Sequence, residues 1–273
     1  MDKPIGVFDS GIGGLTVVKE IVKALPNESL VFIGDTARVP YGTRGKAVIT
    51  QFALELATAL LQRDVKYLVA ACNTISSTCL AEVRSVSPVP VLGVVDPAVQ
   101  TALKQTRTGR IGVIGTRATV ASGFYEQQIR QLEPSISVMS VACPLFVPLA
   151  EEGLAAAQAT RLIATDYLAP FANSEIDVLV LACTHYPILR DVIQQAIGEN
   201  VVLVDSAGPT AETLAAELEA AGLGSDGPAE YELLVTDGPE RVHQVASDFF
   251  GRELPGVLRQ TSLGRSSGTG PRD

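Results

Sequence analysis

Positive charge is in short supply. The chain has 21 lysines and arginines against 30 aspartates and glutamates, a formal net charge of −9. That shortage argues against a nucleic-acid surface, which needs a basic patch. It leaves a small anionic substrate open, because a site is local and net charge is global. No apolar run approaches the roughly 20 residues that span a bilayer. The opening MDKPIGVFDSG has no apolar stretch of the kind that drives secretion. The expectation is a cytoplasmic protein with no membrane partner. Cysteine is also scarce. Cys72, Cys79, Cys143 and Cys183 are the four present, and none falls in a C-x-x-C spacing. A zinc knuckle or thioredoxin-type motif is thereby excluded, and reduced thiols are expected.

What is present is apolar material, 47% of 273 residues, enough for a packed core. Short β-branched runs alternate with longer helical patterns. Candidate strands are Ile5–Phe8, Leu30–Gly34, Tyr67–Ala71, Val89–Val95, Arg110–Gly115, Ser137–Ala142, Val178–Ala182, Val201–Val204 and Leu233–Thr236. Helix-like stretches include Leu15–Ala24, Ala47–Gln62, Ile75–Val86, Ala118–Gln131, Arg161–Phe171, Ile188–Ile197 and Pro209–Ala221. Uninterrupted apolar strands separated by helices specify parallel sheets covered on both faces.

An internal repeat sharpens this. YLVAACNT at 67–74 and VLVLACTH at 178–185 are both buried strands ending in Ala-Cys, and their cysteines stand 111 residues apart. VVDPA and LVDSA follow them at an offset of 109, and GVFDSG and GVIGTR precede them at 106. Similar offsets in one order suggest duplication. The expected fold class is α/β, two related lobes, each a mainly parallel sheet flanked by helices, with the active site between them. Lobe one is expected to comprise residues 1–97 and 208–262, lobe two 98–207, and residues 263–273 a disordered tail.

Ligands of parallel α/β sheets bind at the carboxyl ends of strands. Cys72 and Cys183 stand at such ends, as do Asp9, Ser10, Asp35, Thr36 and Thr116. Two facing lobes would bring the cysteines to a ligand from opposite sides. Inverting a stereocentre by proton transfer needs a base on one face and an acid on the other. A thiol can serve as either, and a helix N-terminus can favour its thiolate. His185 and Asp9 could each orient a thiol or manage its proton. Asn73, Thr74 and Thr184 offer donors for a carboxylate, and the loop GDTARVPYGTRG at 34–45 offers backbone donors.

Other uses of these residues stay open at this point. Cys79 and Cys143 read as small buried hydrophobes, and His243 as a surface residue. Glu151 and Glu152 read as solvated acids, either able to reach a cleft. Cys72, Cys183, His185 and Asp9 could hold a metal, although their spacing is not a zinc pattern. DSGIGG invites a dinucleotide reading, but Thr16 stands where the third glycine belongs. Its glycines would let backbone amides approach a smaller ligand, or make a tight turn. A two-lobed binding protein that had lost its chemistry is a further alternative.

DSGIGGLTV at 9–17, GDTARVPYG at 34–42, ACNT at 71–74, ACPLFVPLAEEG at 142–153 and ACTHYPIL at 182–189 together resemble the signatures of bacterial glutamate racemases, within the aspartate/glutamate racemase superfamily. The resemblance implies two α/β lobes around a site. It implies catalytic cysteines at Cys72, which would take the Cα proton of D-glutamate, and Cys183, which would take that of L-glutamate. Asp9, Glu151 and His185 would assist proton transfer. Ser10, Tyr41, Gly42, Asn73, Thr74 and Thr184 would contact substrate, with Asp9 and His185 beside them; Thr116 is added to this set by its place at a strand end. It further implies no cofactor and no metal, D-glutamate supply to peptidoglycan, and a homodimer. A racemase for aspartate is the nearest alternative.

Overall fold

The computed structural model describes residues 3–251 and 253–263. The tail expected to be disordered falls, from residue 264 on, outside these residues. Ten strands occur among the described residues: β1 Ile5–Asp9, β2 Leu30–Gly34, β3 Tyr67–Ala70, β4 Val91–Gly93, β5 Arg110–Gly115, β6 Ser137–Ala142, β7 Val178–Ala182, β8 Val202–Asp205, β9 Tyr231–Val235 and β10 Leu258–Gln260. They form two sheets, one in the order β10-β9-β2-β1-β3-β4 and the other β6-β5-β7-β8. Every neighbouring pair is parallel. The first strands of each sheet follow one pattern, second-first-third-fourth, which is the topological form of the sequence repeat.

The central strands β1, β2, β3 and β7 are buried along their whole length, as helices on both faces require. Register then fixes the site. Asp9 pairs with Gly34, and Phe8 with Ala70, so Asp9 and Cys72 emerge side by side from the first sheet. Gly115 pairs with Ala142 and with Ala182, so Thr116, Cys143 and Cys183 emerge at one level of the second.

Several elements differ from the sequence reading, each for a local reason. The stretch read as Ile75–Val86 is two helices, Asn73–Thr78 and Leu80–Val86, meeting at a non-helical Cys79. Cys79 is therefore buried at a helix junction rather than within a helix. The stretch read as Ala118–Gln131 breaks at Gly123, whose φ of +63° suits glycine. The run read as strand Val89–Val95 supplies only β4, and from Val95 it becomes the helix Val95–Gln105. Asp96 and Pro97 in its first turn are good helix starters. Helices Phe146–Glu151 and Pro239–Phe250 and strand β10 are additional.

The last strands return to the first sheet, and a buried ion pair helps hold the chain there. Lys66 Nζ lies 2.6 Å from Glu28 Oε2, with both side chains under a tenth exposed. The same ammonium donates to the Leu223 carbonyl at 2.6 Å and to Ser225 Oγ at 2.8 Å. Glu28 accepts the Ser225 backbone N–H at 2.8 Å. Removing one partner of such a pair strands the other charge. Lys66→Met should lower the unfolding free energy by about 3 kcal/mol in a denaturant titration. A change well under 1 kcal/mol would show that the pair does not hold the segment.

Candidate active site

The carboxyl ends of the two sheets face one another across a cleft of about 520 Å³. Ser10, Tyr41, Gly42, Cys72, Asn73, Thr74, Thr116, Glu151, Cys183, Thr184 and His185 all line it. Asp9 sits beneath this lining, fully buried at the end of β1.

The two cysteines have different neighbours. Cys72 lies 3.3 Å from Ser10 Oγ, and its thiol also meets the Asp9 carboxylate. Burial, then the Asp9 charge, pushes the Cys72 thiol well above its ordinary range, and the Ser10 hydroxyl offsets only part of this. Cys72 caps the six-residue helix Asn73–Thr78. The helix amide at Ile75 does favour the thiolate, as expected of a helix end, but burial and Asp9 outweigh it at Cys72. At Cys183 the chain enters a 3-10 turn, Tyr186–Leu189, and the α-helix starts only at Arg190. Its neighbour is His185, with Nδ1 3.9 Å from Cys183 Sγ. The other ring nitrogen, Nε2, lies 2.9 Å from Glu151 Oε1. Burial disfavours the imidazolium, but the contacts with Cys183 and Glu151 outweigh it and carry His185 up to about 10. Glu151, which its surroundings in the sequence left open between a solvated acid and a cleft residue and which the family resemblance gave a part in proton transfer, is brought in by the short helix Phe146–Glu151.

Asp9 anchors the turn after β1. Its Oδ2 accepts the backbone N–H groups of Gly11 at 3.2 Å and Gly14 at 3.0 Å, while Oδ1 has no hydrogen-bond partner among the described residues. Burial raises its pKa, against the pull of His185 and the two amides. The amides of DSGIGG that were expected to meet a ligand are therefore spent in part on Asp9. Gly13 serves a different need. A Cβ there would stand 2.4 Å from Thr184 Oγ1 and 2.5 Å from His185 Nδ1. Thr16 Oγ1 adds a hydrogen bond to the Thr184 carbonyl at 3.3 Å. Gly42 lies as tightly against Thr116, where a Cβ would approach to 2.6 Å.

Tyr41 lines the cleft, but its hydroxyl donates to Asp35, which also accepts Thr236 Oγ1 at 2.8 Å and Arg38 Nε at 2.6 Å. Any substrate contact at Tyr41 therefore comes from its backbone or ring. Thr74 and Thr116 form a hydroxyl triangle with Thr119, with sides of 3.0, 3.2 and 3.0 Å. Asn73 bonds to Tyr125 and Ser206. His185 packs edge-on against Phe249 of the last helix, with ring centroids 4.9 Å apart. Thr119, Tyr125, Ser206 and Phe249 were not singled out from sequence. Nothing local in the sequence marks Tyr125 or Phe249 as neighbours of the site. His243 is exposed, as expected, and Cys143 is buried with its carbonyl accepting the Tyr186 hydroxyl at 2.9 Å.

Two measurements check this geometry. Gly13→Ala should displace Thr184 and His185 and lower kcat/KM by about a hundredfold, since misplacement near 1 Å can cost that much. Near wild-type kinetics would show that the contact is not needed. For His185, a pKa raised from 6.5 to about 10 means that folding favours the protonated ring. That stabilisation is complete below pH 6.5 and is lost as pH rises through about 10. The stability gap between wild type and His185→Gln, followed by denaturant melts, should shrink across that window. A pH-independent gap contradicts the assignment.

Comparison with known proteins agrees with this architecture. The family model for Asp/Glu/Hydantoin racemase matches residues 5–214. The glutamate racemase of Geobacter metallireducens is 46% identical over 263 residues, covering 96% of this chain and 97% of its own. Among solved structures, a glutamate racemase isoform from Bacillus anthracis superposes with a TM-score of 0.92 at 35% identity, covering 96% of this chain and 98% of its own. The Francisella tularensis glutamate racemase in complex with D-glutamate gives 0.90 at 38%, with the same coverage. With a paired-cysteine cleft between two parallel sheets, and relatives matching over nearly its whole length, the chain belongs to the Asp/Glu/Hydantoin racemase family and is an amino-acid racemase of the glutamate racemase type.

Proposed function

We propose that this protein interconverts L- and D-glutamate without a cofactor, by two-base transfer at Cα, with Cys72 and Cys183 acting from opposite faces. One observation carries the mechanism: both cysteines line one cleft, and each has its own proton-handling partner. Imidazolium at His185, held by Glu151, offers a counter-charge to a thiolate at Cys183. Buried Cys72 holds its proton more firmly than an ordinary thiol. Cys72 is thus suited to act as the acid.

In the L-to-D direction the Cys183 thiolate takes the Cα proton. The electron pair of the broken C–H bond moves into the adjacent carboxylate. The Cys72 thiol then delivers its proton to the opposite face. In the reverse direction Cys72 must first shed its proton and act as the thiolate base, while Cys183, carrying a proton received from His185, delivers it to the opposite face of Cα. Asp9, with a raised pKa and an unpartnered Oδ1, is suited to receive the proton that Cys72 sheds.

The negative charge that develops on the carboxylate needs preorganised donors. Ser10, Asn73, Thr74, Thr116 and Thr184, with the backbone at Tyr41 and Gly42, are the groups we assign to the two substrate carboxylates. We extend the reading to the organisation of the chain. Residues 1–97 with 208–262 form one unit and 98–207 the other, the enzyme works as a cytoplasmic homodimer, and its product feeds peptidoglycan synthesis. The similarity to named glutamate racemases supports the substrate over aspartate.

Cys72→Ala and Cys183→Ala should each lower racemisation by at least about a thousandfold in both directions, as loss of a positioned acid or base does. Circular dichroism should report an unchanged fold. Assays on glutamate and aspartate in heavy water, following Cα deuterium incorporation, measure both mechanism and substrate. Racemisation near the wild-type rate by either variant would overturn the two-base mechanism. Preference for aspartate would overturn the substrate.

A further inference from the structure

Asn73 is held from two sides by residues outside the proposed machinery. Its Oδ1 accepts the Tyr125 hydroxyl at 2.6 Å. Its Nδ2 donates to Ser206 Oγ at 3.2 Å. Tyr125 belongs to the helix Phe124–Leu132, and Ser206 directly follows β8, so both come from elements of the second sheet. Asn73 directly follows Cys72 at the end of the first. All three side chains are almost fully buried, at 2%, 2% and 3% exposure for Asn73, Tyr125 and Ser206.

The two distances fix which way the amide faces. A separation of 2.6 Å suits O–H···O, and 3.2 Å suits the longer N–H···O. The oxygen therefore faces the phenol and the nitrogen faces the serine. Nδ2 carries two hydrogens and Ser206 takes one. The other has no hydrogen-bond partner among the described residues, on a side chain that lines the cleft. Burial keeps the Tyr125 phenol protonated, and hence a donor.

We propose that Tyr125 and Ser206 are positioning residues, which clamp the Asn73 amide across the cleft so that its remaining N–H is presented to a substrate carboxylate. The proposal rests on the reading of Asn73 as a substrate contact. A buried phenol would otherwise have no partner, and an unclamped amide could turn its oxygen toward the substrate, placing a lone pair against an anion. Because the clamp spans both sheets, the amide is oriented only while they are apposed. Binding geometry beside Cys72 is thereby tied to closure of the cleft.

The test is a kinetic double-mutant cycle on the full chain, with kcat and KM measured for L- and D-glutamate. Tyr125→Phe keeps the ring and removes only the hydroxyl. It should lower kcat/KM by about tenfold, because the amide it releases loses its hydrogen bond to the charged carboxylate. Asn73→Ala should lower it at least as much. In the Asn73→Ala background, Tyr125→Phe should change kcat/KM by less than about twofold, because its effect passes through the amide. A merely structural tyrosine would give the same loss in both backgrounds. Ser206→Ala repeats the cycle should Tyr125→Phe lose its near-ultraviolet dichroism. Unchanged kinetics in Asn73→Ala would overturn the substrate-contact reading itself. An impaired Asn73→Ala beside an unaffected Tyr125→Phe, or additive losses in the cycle, would overturn the clamp alone.

Discussion

The turn after β1 and the turn after β7 can approach each other because residue 13 has no side chain. Thr184 and His185 occupy the space that a Cβ would need, at 2.4 and 2.5 Å. That approach sets the distance between the two sheets at the point where the chemistry is proposed. It puts His185, from the second sheet, close enough to Asp9, from the first, for its charge to act on that carboxylate. The other contacts across the cleft, from Asn73, Thr74 and Gly42, operate within the same spacing.

Burial supplies the electrostatics. Asp9 is fully buried with only one carboxylate oxygen satisfied, and Cys72 beside it is raised by desolvation before any charge is counted. His185 is as deeply buried, yet is raised, because Glu151 and Cys183 favour its charged form by more than burial penalises it. Two similar Ala-Cys strand ends therefore have unlike surroundings: a carboxylate that favours the thiol at one, and a cation that can balance a thiolate at the other. The repeat supplied symmetry of backbone, and the residues flanking it supply asymmetry of charge around the two sulfurs.

The ends of the chain take part as well. Thr236 at the end of β9 donates to Asp35, which also holds Tyr41 and Arg38 of the loop bordering the cleft. Phe249 of the last helix packs against the His185 ring. The C-terminal segment thus completes the first sheet and also braces two walls of the site.

Much of this was legible in the chain alone. Parallel sheets follow from uninterrupted apolar runs, and the duplicated topology follows from offsets near 110 residues between matched strands, because local pattern determines strands and strand ends mark sites. Cys72, Cys183, Asp9 and His185 were identifiable for that reason. Helix breaks at Cys79 and Gly123 were not, because apolar spacing runs on through a short kink. That Glu151 would meet His185, the Tyr125–Asn73–Ser206 bridge and the elevation of Cys72 could not be read from local pattern. Each joins residues far apart in sequence, and depends on how closely two sheets pack and how much water that packing removes, which only the tertiary structure decides.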